Sequence, residues 1–218
     1  MQSVLDTLGL DIATQASEPT VATVTITSVT PDVAMVVTHD GREAILPVSE
    51  WYDGRPFSVG SQHLALLMET AGRPVCSTSR PELVEALFDG LVPELLSGQV
   101  RIMSVARVPG VRAKIAVAAT GGTVDPVAAL IGREANRVKL VSSQLFGERL
   151  DIVAWHPDPE VFLKNALAPA RISRVHVTDH AATVYAPPHQ MSAAVGSSGL
   201  NSQLAGQLLG LPVTVVAE

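Results

Sequence analysis

The stretch QMSAAVGSSGLNSQLAGQLL, residues 190–209, decides the fold. Its apolar spacing predicts a short helix up to Val195, a break at Gly196-Ser-Ser-Gly199, and a second helix from Leu200 to Leu209. Such a break brings backbone N–H groups and a helix N-terminus together, which suits an anionic ligand. The rest of this segment is predicted as a helix and three strands, at 158–167, 171–178, 182–186 and 212–216.

The same order of elements occurs one segment earlier. Residues 80–155 predict a helix, two strands joined at Pro109-Gly110, two short helices that meet at Gly132, and a final strand. An αββααβ order that occurs twice, each time with a glycine break, is an internal repeat. It is also the order of a prokaryotic-type KH domain, in which the break contacts about four nucleotides.

The region before the repeat predicts a different kind of fold. Residues 20–79 read as five short strands separated by turn signals, such as His39-Asp-Gly41, and this suits a small OB-type barrel. Residues 1–19 read as a tail. We therefore predict an α+β multidomain chain, with domains at 20–79, 80–155 and 156–218.

The charge of the chain is unevenly distributed. The net charge is −6, yet residues 80–155 carry nine basic and eight acidic side chains, whereas residues 1–79 carry three and nine. Since phosphate binding is largely electrostatic, the middle segment is the plausible place for RNA. Its basic residues either form a face beside the first KH loop or are ordinary solvated charges: Arg107, Arg112, Lys114, Arg133, Arg137 and Lys139.

Several motifs resemble the NusA family of transcription factors. The first KH segment carries SVARVPGVRAKIAV, residues 104–117, and GERLDIV, residues 147–153. The second carries NALAPA, residues 165–170, and the loop region AVGSSGLN, residues 194–201. The resemblance covers about Thr20 to the C-terminus and implies an S1-type OB-fold followed by two KH domains.

The resemblance implies a non-catalytic, RNA-binding function in transcription elongation, termination or antitermination. The expected partners are single-stranded RNA and, on the protein side, RNA polymerase or the ribosome; we expect a cytoplasmic monomer without cofactor, metal or membrane contact. The family's loop residues carry over to Gly132, Gly196, Ser197, Ser198, Gly199 and Asn201, with Arg133 and Arg137 steering phosphates and Asn201 hydrogen-bonding at the helix start.

Three departures from the family pattern predict weaker RNA binding. The first loop has Ala135 in place of its second glycine, which costs on the order of 1 kcal/mol if that position needs positive φ. Glu134 puts a negative charge where a phosphate would lie. The second loop has Ser197 and Ser198 where the family usually supplies a lysine. In addition, NusA chains usually begin with a polymerase-docking domain, whereas only a short tail precedes Thr20 in this sequence.

Ala135, the lysine-free second loop and the acidic barrel segment motivate an alternative hypothesis, a protein–protein adaptor that has lost most of its RNA affinity. The aromatic residues Trp51, Tyr52 and Phe57 are better suited to plug one end of the barrel than to serve as a stacking platform for bases.

Other chemistry is not indicated. His176 and His180 lie on a predicted strand and its turn, where their spacing gives no shared metal site, so no metal is expected. Cys76 is expected to be buried rather than reactive. The sequence contains neither a nucleotide-binding loop nor a nucleophile elbow, so no motif in it indicates an enzyme.

Overall fold

The computed structural model describes residues 19–52, 56–70, 72–122 and 124–218, so the predicted tail lies outside the described residues except for Pro19. The chain divides into two compact units. The first contains the described residues up to Leu87 together with Val108–Val111 and Val141–Glu148. The second contains Phe88–Arg107, Arg112–Leu140 and Arg149–Glu218. These units do not correspond to the three predicted domains, whose boundaries stay a prediction.

Five strands close into a barrel, as the turn signals predict. They are β1 (Thr20–Val29), β2 (Val33–Thr38), β3 (Glu43–Pro47), β4 (Gln62–Thr70) and β5 (Arg73–Ser77), in the order β1-β2-β3-β5-β4. Alternate residues of the first three strands are buried, so each strand has one face in the barrel core. The core is built from small aliphatic side chains such as Val24, Ala34 and Leu46. Cys76 joins it, and burial raises the pKa of its thiol to about 12.

An aromatic cluster packs against this core within the first unit. Trp51 and Tyr52 are only 8% and 5% exposed, and their ring centroids lie 4.2 Å apart. Phe57 packs on Trp51 at 4.6 Å, and Phe146 stacks on Tyr52 at 3.8 Å. Since these rings are turned into the core, they are not a platform for nucleobases, and the preference for a packing role is confirmed.

Glu50 fixes the chain where it leaves the barrel. Arg80 makes two hydrogen bonds to the carboxylate of Glu50, both 3.2 Å long, and Ser79 Oγ donates to it at 3.3 Å. The backbone N–H of Thr78 donates to the Glu50 carbonyl at 2.8 Å. A bidentate arginine–carboxylate pair has a defined geometry, so it sets the direction in which the next helix starts.

The first αββααβ repeat is present. Its elements are α1 (Pro81–Asp89), α2 (Pro93–Leu96), β6 (Val100–Val108), β7 (Arg112–Ala119), α3 (Pro126–Ile131), α4 (Asn136–Gln144) and β8 (Arg149–Ala154). The sheet order is β6-β7-β8, and β7 and β8 are parallel. Five consecutive residues of β7, Ala113 to Val117, are buried, so both faces of this central strand are covered.

The second repeat has the same order. Its elements are α5 (Pro159–Ala166), β9 (Arg174–Val177), β10 (Ala182–Ala186), α6 (Met191–Val195), α7 (Leu200–Leu209) and β11 (Val213–Ala217), and the sheet order is β11-β10-β9. The predicted strand 171–178 is shortened at both ends. Unlike β7, the central strand β10 alternates between buried and half-buried residues, so one of its faces is open.

The two repeats contact each other within the second unit. Helix α7 packs against β7, and α5 packs against β8. Asp158 caps the N-terminus of α5 by accepting from Glu160 N at 2.9 Å, and Asn165 Nδ2 donates to the Ala154 carbonyl at 3.0 Å. The short connection between β8 and α5 therefore leads directly into a packed interface. None of the described helices is long and apolar enough to cross a membrane.

Candidate nucleic-acid interface

The loop of the second repeat has a backbone that only glycine fits at its first position. Gly196 has φ 75° and ψ 172°, and a Cβ atom there would lie 2.6 Å from Asn201 Cβ and 2.8 Å from Asn201 N. Ser198 and Gly199 follow in the left-handed region, at φ 52° and 78°. Ser197 and Ser198 are exposed, so the loop points its two small hydroxyl side chains into solvent.

The loop of the first repeat follows the same path. Gly132 has φ 74° and ψ 170°, Glu134 has φ 53° and Ala135 has φ 59°. Ala135 thus adopts the left-handed conformation that Gly199 adopts in the other loop. An L-residue pays roughly 1–2 kcal/mol for that conformation, so the cost predicted from the sequence is present.

Both loops present unpaired backbone N–H groups. Gly199 N donates to Gly196 O at 3.2 Å, and Ala135 N donates to Gly132 O at 3.1 Å, which closes each loop on itself. Among the described residues no acceptor is found for the N–H groups of the two central residues of either loop. Successive N–H groups ahead of a helix form a concave site for anions, here ahead of α4 and α7.

Asn201 does not lie on the surface, which corrects its predicted role. Its side chain is 1% exposed, and Nδ2 donates to the carbonyls of Leu167 at 3.1 Å, Ala193 at 3.1 Å and Ala194 at 3.2 Å. A buried amide that binds three carbonyls joins α7 to the ends of α5 and α6. It positions the loop and has no path to a nucleotide.

Arg137 occupies the corresponding position after the first loop. Its Nη1 donates to the Ala129 carbonyl at 2.6 Å, eight residues back, as Asn201 does to Ala193. The same nitrogen pairs with Glu94 Oε2 at 3.0 Å, and the side chain is 25% exposed. Arg137, predicted to steer phosphates, is therefore engaged in holding the helix pair together.

Three cations surround a single carboxylate on the sheet of the first repeat. Asp151 accepts from Arg112 Nε at 2.7 Å, Lys114 Nζ at 3.2 Å and Arg149 Nε at 3.1 Å. The strand register explains this cluster, since β7 and β8 pair Arg112 with Arg149 and Lys114 with Asp151. Sequence reasoning missed Arg149, because the register that sets it opposite Arg112 exists only once β7 and β8 pair.

Lys114 is the second residue whose predicted role the structure corrects. Its side chain is 1% exposed, so it does not belong to an open basic face. Burial lowers its pKa, while Asp151 offsets part of that effect. Burial raises the pKa of Asp151, but the charges of Lys114 and Arg112 outweigh it and hold that pKa below its usual value. Arg112 is 12% exposed and shares the same carboxylate.

The predicted basic face is thus reduced to a few residues. Arg133 and Lys139 are exposed, and Lys139 Nζ donates to the Glu134 carbonyl at 3.0 Å. Arg107 is half-buried. The groove beside the first loop, with a volume of 440 Å³, also contains two carboxylates, from Glu94 and Asp125. No group of three metal-ligating side chains occurs in the part of the chain that the structure describes.

Comparison with known proteins matches both repeats to one family. Residues 78–155 match the NusA-like first KH domain, and residues 159–218 match the NusA-like second KH domain. The chain is 36% identical over 183 residues to the transcription termination/antitermination protein NusA of Halalkalibacterium halodurans, which covers 81% of this chain and 48% of that protein.

Two further relatives have the same name. NusA of Bacillus subtilis is 36% identical over 183 residues, covering 81% of this chain and 49% of the relative. NusA of Thermus thermophilus is 36% identical over 178 residues, covering 78% and 46%. The chain therefore spans about half the length of the curated relatives it matches.

The two loops predict opposite effects of exchanging glycine and alanine. Ala135→Gly relieves a left-handed alanine and is expected to raise the free energy of unfolding by about 1 kcal/mol. Gly199→Ala is expected to lower it by about the same amount, because nothing lies within 4 Å of the added Cβ and only the backbone conformation opposes it. Urea unfolding measures both, and equal signs for the two variants would contradict the shared loop geometry.

Removing the carboxylate at the centre of the cation cluster is expected to be costly. Asp151→Asn leaves the buried Lys114 without a counter-charge, and we expect a loss of about 3 kcal/mol. Adding Lys114→Met removes the stranded charge, so the double variant should recover much of the loss. Thermal or urea unfolding checks this, and a double variant no more stable than Asp151→Asn would contradict it.

The unaltered chain and Asp151→Asn should also differ in how their stability depends on pH. Because the folded-state pKa of Asp151 is lowered, its stabilising contribution is present above about pH 4 and is lost as the pH falls through the folded-state pKa. The unaltered chain should therefore lose more stability on acidification than Asp151→Asn does.

Proposed function

The chain belongs to the NusA family, and from that premise we propose that it is a non-catalytic RNA-binding factor acting in transcription elongation, termination or antitermination. Its tandem KH domains would bind single-stranded RNA in the cytoplasm. The observation that carries this proposal is the shared backbone path of two glycine-containing loops, each with unpaired N–H groups ahead of a helix.

The second loop is the stronger of the two contacts. Gly196 and Gly199 let a phosphate approach the backbone, while the N–H groups and hydroxyls of Ser197 and Ser198 supply uncharged donors. Asn201 acts as a positioning residue from behind the loop.

The first loop is the weaker contact because its surroundings are mixed in charge. Arg133 and Lys139 attract phosphate, with Arg107 as a half-buried cation of the same repeat, and Gly132 permits a close approach. Glu134 opposes them in the loop itself. Arg112, Lys114 and Arg137 act through structure, since all three are held by carboxylates. Affinity should therefore depend on backbone donors more than on ion pairs, with a shallow dependence on salt.

A protein-adaptor role is the second candidate, and the barrel supports it. A groove on the barrel is lined mainly by aliphatic side chains, among them Val33, Met35, Ile45 and Pro74, with Glu43 and Arg73 as its charged members. It lacks the aromatic side chains on which bases stack. RNA polymerase or the ribosome would be the partner. A pull-down after nuclease treatment separates the candidates, since a stoichiometric protein partner that survives nuclease favours the adaptor.

Ser198 offers a direct test of the RNA contact. Ser198→Asp places a carboxylate where a phosphate would lie, and we expect it to raise the Kd for single-stranded RNA about ten-fold. Ser198→Asn is the matched control, since asparagine and aspartate both tolerate the left-handed backbone of this position. Fluorescence anisotropy with an RNA of about ten nucleotides, long enough for both loops, measures the two variants.

The same anisotropy experiment measures how the RNA affinity depends on salt. Between about 50 and about 200 mM salt, contacts to two or three phosphates predict a slope of about −2 in log K against log salt. If the unaltered chain binds no RNA at the lower salt concentration, the proposed function is wrong.

Glu134 offers a test in the opposite direction. Glu134→Gln removes the negative charge from the first loop without changing side-chain size, so RNA should bind about three-fold more tightly. Glu82→Gln changes the net charge equally on the exposed surface of α1 and serves as the control. An equal gain from both variants would mean that net charge, rather than the loop, sets the affinity.

A further inference from the structure

The sheets of the two KH repeats differ in how they are covered. In the first repeat, β7 is buried on both faces, and α7 packs against it. In the second repeat, Ala182, Val184 and Ala186 of β10 are buried while Thr183 and Tyr185 are only partly buried. One face of the second sheet is therefore open in the part of the chain that the structure describes.

The strand register arranges this open face in two rows. Tyr185 lies between Arg174 on β9 and Val216 on β11, and Thr183 lies between His176 and Thr214. The four residues on the outer strands are all exposed. None of the six side chains is acidic, and they include the guanidinium of Arg174 and the imidazole of His176.

Arg174 and Tyr185 form a stacked pair on this face. The Arg174 guanidinium carbon lies 4.0 Å from the centroid of the Tyr185 ring. Nucleobases stack on aromatic rings and on arginine guanidinium planes, and the positive charge of Arg174 also attracts the phosphate that each base carries with it. Of the two tyrosines in the chain, Tyr52 is buried in the barrel and Tyr185 is the one on an open sheet.

The size of the face favours nucleotides over a protein. Three strands about 4.8 Å apart give rows roughly 10 Å long, and the two rows are about 7 Å apart. Such an area accommodates one or two bases, whereas a stable protein interface needs about 800 Å² from each partner.

We propose that the open sheet face around Arg174 and Tyr185 is a second RNA subsite, which stacks one or two bases of the strand whose backbone the KH loops hold. The inference rests on the proposed RNA-binding function. It assigns base stacking to the sheet of the second repeat and backbone contact to the loops.

Matched variants of Tyr185 in the full chain test the stacking. Losing the contact of one base with an aromatic ring corresponds to a loss of affinity on the order of ten-fold, so Tyr185→Leu should raise the Kd for an unstructured RNA of about ten nucleotides by that factor. Tyr185→Phe keeps the ring and should stay within about two-fold of the unaltered chain. Arg174→Gln should also weaken binding.

A second measurement uses the unaltered protein, so it does not depend on whether a variant folds. RNA containing 4-thiouridine is photo-crosslinked to the chain, and the attachment site is located to the residue by tandem mass spectrometry. Crosslinks at Tyr185 or its neighbours on β9 and β11 are expected.

The outcomes separate the two proposals. If Ser198→Asp weakens binding while Tyr185→Leu and Arg174→Gln do not, and crosslinks avoid the sheet, the subsite is wrong and the proposed function stands. Equal losses for Tyr185→Leu and Tyr185→Phe also overturn stacking. If the unaltered chain binds no RNA, both proposals fail.

Discussion

The KH pair depends on one steric constraint, the absence of a side chain at Gly132 and Gly196. In each loop, residues in the first turn of the following helix lie against the position that a Cβ would occupy: Asn136 and Arg137 in one loop, Asn201 in the other. The glycine therefore lets two helices meet closely at positive φ. That close meeting turns the N–H groups of the next two residues outward, where an anion can reach them.

The second constraint is electrostatic and works against an open basic surface. Asp151 binds three cations, and Glu94 binds Arg137, so much of the positive charge of the first repeat is used to hold the fold. A buried lysine requires such a partner, because an unpaired buried charge costs several kcal/mol. What remains for RNA is a set of backbone donors with few free cations, which gives contact without strong electrostatic attraction.

The two repeats have diverged in complementary ways. The first keeps more positive charge but has a strained Ala135 and an acidic Glu134 in its loop. The second has both glycines and no charge in its loop, and its sheet presents Arg174 on Tyr185. In the part of the chain that the structure describes, both faces of β7 in the first sheet are buried and α7 packs against it, whereas one face of β10 in the second sheet is only partly buried. The second repeat is thus the better candidate for contact with both backbone and bases.

The sequence by itself determined the order of elements, the five barrel strands, the repeat and the strain at Ala135. These follow from local periodicity and from the conformations that glycine allows and alanine resists, both of which are properties of short segments. The sequence also predicted the packing of Trp51, Tyr52 and Phe57 against the barrel, since apolar rings in a loop beside the barrel strands pack into a core.

Only the tertiary structure decided which polar residues are free to act. Lys114 meets Asp151 across 37 residues, Arg137 meets Glu94 across 43, and Asn201 meets Leu167 across 34. No local spacing reveals such pairs, because the partners come together only when strands register and helices pack. For the same reason the open face of the second sheet could not be read from the sequence. Whether a strand face is covered depends on what packs against it: α7 packs against both β7 and β11, yet Thr183 and Tyr185 on β10 stay only partly buried.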